Sequence, residues 1–168
     1  MQTRSFLRRA LQGVGAAGLA VVLSSTPADA GVGTRLANGD GDTSGECLSI
    51  EGTGRGPKLL MEPCNTNAHQ GWVIDGNKVR SQDRDARGRC LTALGEGNQV
   101  SMQPCSPPQD PTQHWVVVPN TPGGDWFQLL NGAYGPQCLD VRDNGLSNAV
   151  QTWRCGPSNK GNQLWKFF

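Results

Sequence analysis

Six cysteines, two histidines and several closely spaced carboxylates are the residues of this 168-residue chain whose types could do chemistry. Cys47, Cys64, Cys90, Cys105, Cys138 and Cys155 could ligate zinc, act as nucleophiles or form disulfides. Cysteine zinc sites need short ligand spacings. No Cys-x2-Cys pair occurs, and only His69 and His114 could complete a set, so no metal is expected. No nucleophile motif surrounds any serine. Glycoside cleavage needs two carboxylates flanking one bond. Asp140 and Asp143 are close in sequence, but Asp143 reads as a turn residue. Asp40-Gly41-Asp42-Thr43-Ser44-Gly45 followed by Glu51 fits a relaxed calcium-loop pattern. The context is wrong for it: no helical pattern flanks the segment, and Cys47 lies inside it. The chain therefore reads as neither an enzyme nor a metalloprotein, and no cofactor is expected.

The chemistry left to the cysteines depends on compartment. Arg4, Arg8 and Arg9 precede an apolar run over residues 10–23, and Ala28-Asp29-Ala30 offers a small-residue cleavage site. That is the layout of a secretory signal peptide over residues 1–30, with a weak twin-arginine character in Arg8-Arg9. The apolar run is too short and glycine-broken to span a membrane comfortably. The expected mature chain is one secreted domain, residues 31–168. The signal holds three of the 15 basic and one of the 14 acidic residues, so the mature part is nearly neutral. Nothing in that balance points to nucleic acid or an anionic membrane as a partner. The basic cluster from Arg80 to Arg89 is interleaved with Asp83 and Asp85 and reads as a solvated turn. In an exported chain the six cysteines read as three disulfides.

The elements that must position these residues form a repeat. Gln70-Gly71-Trp72, Gln113-His114-Trp115 and Gln163-Leu164-Trp165 are three copies of Gln-x-Trp, and each lies downstream of a Cys-Leu pair: Cys47-Leu48, Cys90-Leu91 and Cys138-Leu139. The units run over about 31–75, 76–118 and 119–168. The repeat favours pairing within each unit: Cys47 with Cys64, Cys90 with Cys105, Cys138 with Cys155. Each loop so closed stabilises by about 3 kcal/mol in the chain-entropy account. No segment keeps a 3.6-residue period. Short apolar runs such as 34–37, 59–61, 72–74, 100–102, 115–118, 126–130 and 164–168 alternate with Gly, Asn, Asp and Pro clusters, which is the pattern of an all-β domain. A unit this small cannot close its own core, but three can share a barrel. Trp72, Trp115 and Trp165 are then core residues, their glutamines anchor backbone in the turn before the Trp strand, and Trp126 packs as part of a leading strand.

With Cys-Leu and Gln-x-Trp laid out three times in register, residues 31–168 resemble the ricin-type β-trefoil lectins. The resemblance implies a six-stranded barrel capped by three hairpins, three pseudo-symmetric repeats with intra-repeat disulfides, and up to one sugar site per repeat. The third repeat carries the strongest match. Galactose-binding members place Asp two after the first Cys, an aromatic two before the second Cys, Gln two before that aromatic, and Asn before Gln-x-Trp. Those positions are Asp140, Trp153, Gln151 and Asn162.

The implied roles follow from sugar chemistry. Trp153 can lie against the apolar C–H face of a pyranose. Asp140 can accept from two vicinal hydroxyls. Asn162 can donate to and accept from the same pair. Gln163 would brace Asp140, and Gln151 would reach an outer hydroxyl. The first repeat has Ser49, Leu60, Glu62 and His69 at these positions, and the second has Thr92, Ser101, Gln103 and Thr112. Both read as scaffold copies that have lost their sites. The expected function is thus a secreted lectin for galactose-type or related glycans or polysaccharides. The alternative is a glycan- or protein-targeting subunit of a separately encoded toxin or hydrolase, or a trefoil-type inhibitor. One shallow site would need a partner protein or homo-oligomer for avidity.

Overall fold

The computed structural model of the chain describes residues 34–52, 56–142, 148–157 and 159–167. The signal segment 1–30 and Asp143 lie outside the described residues. Each repeat supplies four strands. The first gives β1 (Leu36–Asn38), β2 (Glu46–Glu51), β3 (Lys58–Pro63) and β4 (Trp72–Asp75). The second gives β5 (Lys78–Ser81), β6 (Arg89–Thr92), β7 (Ser101–Pro104) and β8 (Trp115–Pro119). The third gives β9 (Phe127–Asn131), β10 (Gln137–Val141), β11 (Val150–Arg154) and β12 (Trp165–Phe167). A single 3-10 turn precedes each Trp strand: Ala68–Gln70, Pro111–Gln113 and Gly161–Gln163.

First and last strands of the repeats close a six-stranded barrel. β1 pairs β12, β12 pairs β9, β9 pairs β8 and β5 pairs β4, all antiparallel. Two single links complete the ring, Trp72 bridging Thr34 and the Trp115 N–H donating to Asn77 O at 2.9 Å. The middle strands form three hairpins, β2–β3, β6–β7 and β10–β11, which cap one end. This is a β-trefoil, with every disulfide inside one repeat: Cys47–Cys64, Cys90–Cys105 and Cys138–Cys155. Gly45 and Gly88 take positive φ of 82° and 77° two residues before the first cysteine, a conformation only glycine adopts cheaply. Their carbonyls accept from the N–H of Cys64 and Cys105, so each turn seats its own disulfide.

The threefold motif is explained by two sets of bonds. Trp72, Trp115 and Trp165 are buried at 0%, 2% and 0% exposure, and a buried indole N–H needs an acceptor. Each finds the carbonyl of the Leu after the first cysteine: Leu48, Leu91 and Leu139, at 2.9, 2.9 and 3.0 Å. Truncating such a side chain to Ala costs about 3–5 kcal/mol. The three glutamines do not anchor the turn before the Trp strand. Each reaches instead to the second cysteine. Gln70, Gln113 and Gln163 accept from the N–H just after it (Asn65, Ser106, Gly156) and donate to the carbonyl just before it (Pro63, Pro104, Arg154), at 2.7–3.1 Å. A buried primary amide has both a donor and an acceptor, so one side chain satisfies both sides of the disulfide loop.

Trp126 departs from the sequence expectation. Phe127, not Trp126, faces the core, at 6% exposure. Trp126 precedes β9 and lies half-buried on the outside, with the Lys166 ammonium 4.9 Å from its ring centre. The period-2 alternation of β9 allows only one of the two neighbours to point inward.

Candidate functional site

The site is built around Asp140 on β10. Asp140 lies directly opposite Gln151 in the β10–β11 register, so the two side chains share a face of the hairpin. Trp153 is two residues beyond Gln151 and projects from that same face. Asn162 and Gln163 arrive from the 3-10 turn. Gln151 donates to Asp140 Oδ1 at 2.8 Å, and Asn162 and Gln163 each donate to Oδ2 at 2.9 Å. The carboxylate is 2% exposed, while Trp153 is 47% exposed. The five sequence-predicted residues thus come together, lining a cleft of about 610 Å³ with Gly97, Arg142, Arg154 and Lys160.

Two expected roles change. Gln151 turns inward, its Nε2 on Asp140 and its Oε1 accepting from Arg142 Nε at 3.2 Å, so it orients the carboxylate rather than reaching outward. Asn162 spends its amide N–H groups on Asp140 and on Val141 O at 3.2 Å, leaving its Oδ1 as the group for an incoming hydroxyl. Gln163 does brace Asp140, in addition to its bonds around Cys155. The buried carboxylate accounts for these choices: amide donors pointed at it offset its desolvation.

Neighbouring repeats complete the site, and nothing in the third repeat alone reveals it. Asn38 of the first repeat donates to Asn162 O and Leu164 O at 3.2 and 3.0 Å, pinning the turn that carries Asn162 and Gln163. The tip of the β6–β7 hairpin packs behind Trp153. Gly97 N donates to Thr152 O at 2.8 Å, and Arg142 Nη2 donates to Gly97 O at 3.1 Å. A Cβ on Gly97 would stand 3.1 Å from Trp153 Cζ3, and its φ is +75°. The Gly95-Glu96-Gly97 run signals a turn in sequence, but not which aromatic it would back.

The corresponding positions elsewhere are satisfied internally. Ser49 Oγ donates to Glu62 Oε2 at 2.5 Å, and His69 pairs with Asp83. Thr92 donates to Cys90 O and accepts from Gln113, both at 3.0 Å, and Gln103 donates to Ser101 Oγ at 3.3 Å. Asp83, read from sequence as part of a solvated turn, is 5% exposed. In the calcium-like segment, Asp40 accepts from Asp42 N at 2.9 Å as a turn residue. Among the described residues no group of three metal-ligating side chains occurs.

The model of the ricin-type beta-trefoil lectin domain matches residues 34–165. The chain belongs to that family. Ricin-type domains are non-catalytic carbohydrate-binding domains. Solved structures share the fold. A designed threefold-symmetric protein, ThreeFoil, superposes with a TM-score of 0.63 at 19% identity, over 80% of this chain and 96% of that one. The hemolytic lectin CEL-III gives 0.62 at 25% identity, over 79% of this chain but 29% of its own. The C-half of an earthworm R-type lectin, solved with GalNAc, gives 0.58 at 20%, over 80% and 95%. No curated protein is significantly similar in sequence. Among the described residues no helix is long and apolar enough to cross a membrane.

Proposed function

We propose that this ricin-type chain is a secreted lectin that binds galactose-type or related glycans through its third repeat, without cleaving them. One observation carries the reading: the half-exposed Trp153 ring and the amide-braced Asp140 carboxylate line the same cleft. A pyranose stacked on Trp153 brings a vicinal hydroxyl pair to Asp140 and Asn162 Oδ1. The angle of the hydroxyl at C4 then separates axial from equatorial sugars. The cleft size falls in the range of small-ligand sites. The GalNAc bound to the earthworm relative supports the same ligand class. An open single site of this kind binds at about 0.1–1 mM, so useful avidity needs a second copy or a partner.

The first two repeats serve as scaffold. The match covers only 29% of the chain of a hemolytic lectin, which supports a second reading, in which the domain targets a separately encoded partner to glycans. A glycan array on the purified, oxidised protein tests the first reading. Selective galactoside binding that disappears in Trp153→Ala, with the fold intact by near-UV circular dichroism, is expected. No glycan signal from folded protein would remove the lectin assignment and leave a protein partner as the object of search.

A further inference from the structure

We infer that the ligand of this cleft is an acidic saccharide, a galactose-type ring carrying a carboxylate or sulfate, held by Arg142, Arg154 and Lys160; the inference rests on the lectin reading above. All three cations line the cleft, and among the described lining residues Asp140 is the one carboxylate against them. This concentration of positive charge is local, because the mature chain carries near-equal numbers of acidic and basic residues.

The charges are not spent elsewhere. Among the described residues, Arg154 pairs only with Glu96, at 3.9 Å with side chains 80% and 41% exposed, a geometry worth little. Among the described residues neither Arg142 nor Lys160 pairs with a carboxylate. Arg142 is fixed by two neutral acceptors, Gln151 Oε1 at 3.2 Å and Gly97 O at 3.1 Å, which orient its guanidinium without cancelling its charge. An oriented guanidinium matches the paired oxygens of a carboxylate or sulfate. Arg154 and Lys160 sit exposed at the rim, where they attract an anion and adapt to its position. Asp140 repels an anion, so the acidic group must project away from the hydroxyls it holds, toward the rim.

Titration calorimetry with lactose, sialyllactose and sulfated lactose tests this. Each exposed cation contributes a few-fold, so at least one acidic ligand should bind about tenfold tighter than lactose at low salt. The preference should fade in about 1 M salt, where the screening length falls to about 3 Å. In Arg154→Gln/Lys160→Gln the ratio of acidic to neutral affinity should fall several-fold, the remainder being held by Arg142. A preference for sialyllactose alone or sulfated lactose alone supports the inference and names the acidic group. Lactose bound as tightly as both acidic ligands overturns it and leaves the lectin reading standing. A preference that survives about 1 M salt undiminished overturns it as well, because a charge-held anion must respond to screening. No binding of any of the three by folded protein overturns both.

Discussion

Asp140→Asn keeps the size of the side chain, yet it should not be a mild change. The native carboxylate accepts from three amides: Gln151 on Oδ1, Asn162 and Gln163 on Oδ2. Asparagine offers one oxygen and one NH2. Placed at the Oδ2 position, its oxygen keeps Asn162 and Gln163, but its NH2 then faces the Gln151 NH2. Gln151 can answer only by flipping its amide, which takes its Oε1 away from Arg142 and turns an NH2 on the guanidinium. The opposite placement strands two donors instead of one. Hydrogen bonds to a charged group contribute about 1.5–3 kcal/mol, and one is lost outright while two become neutral, so the cost is about 2–4 kcal/mol. Asp140→Ala opens a polar hole on the cleft wall that water can enter, and it should cost a similar amount. For a domain of this size a loss of about 3 kcal/mol lowers Tm by about 10 °C. Urea unfolding of wild type, Asp140→Asn and Asp140→Ala under oxidising conditions measures this. An Asn variant within about 0.5 kcal/mol of wild type would refute the reasoning. The same coupling makes Trp153, not Asp140, the clean probe of binding.

Gly97→Ala places a methyl 3.1 Å from Trp153 Cζ3 at a φ of +75°. It should cost about 1–2 kcal/mol, and by tilting the indole it should weaken glycan binding several-fold in titration calorimetry. Replacing Cys90 and Cys105 together with Ala releases a loop of sequence separation 15 and should cost about 3 kcal/mol in denaturant unfolding. Asp110 is held below the usual carboxylate range, first by the Thr112 hydroxyl, then by Ser106 and the Thr112 N–H. Its folded-state pKa is depressed, so its contribution is present above the ordinary carboxylate range and lost as pH falls through the folded value. Asp110→Ala should therefore be less stable than wild type near neutral pH, and the gap should close in acid.

The fold was legible because it is periodic. Three Cys-Leu and three Gln-x-Trp copies mark positions where a buried indole, a buried amide and a disulfide must recur in each unit, and local spacing suffices to pair Cys138 with Cys155. The five residues gathered at the third repeat were legible through the resemblance to the ricin-type lectins, and the fold brings them together: Asp140, Gln151 and Trp153 sit on one hairpin face, and Asn162 and Gln163 adjoin the Trp strand. Their roles were not legible. Whether Gln151 points out or in depends on the desolvation of Asp140, which is a property of the packed carboxylate and not of the hairpin. The outward placement of Trp126 was not legible because a run of apolar residues does not say which of two neighbours the sheet turns inward. The parts played by Gly97, Arg142 and Asn38 were not legible because each acts on the site across a repeat boundary or through another side chain. The sequence by itself determined the units, their disulfides and the chemical types in the site. Only the closed barrel decided that the second repeat's hairpin backs Trp153 and the first repeat's Asn38 pins the turn below it, because contacts between repeats arise when three separate units bury one common core.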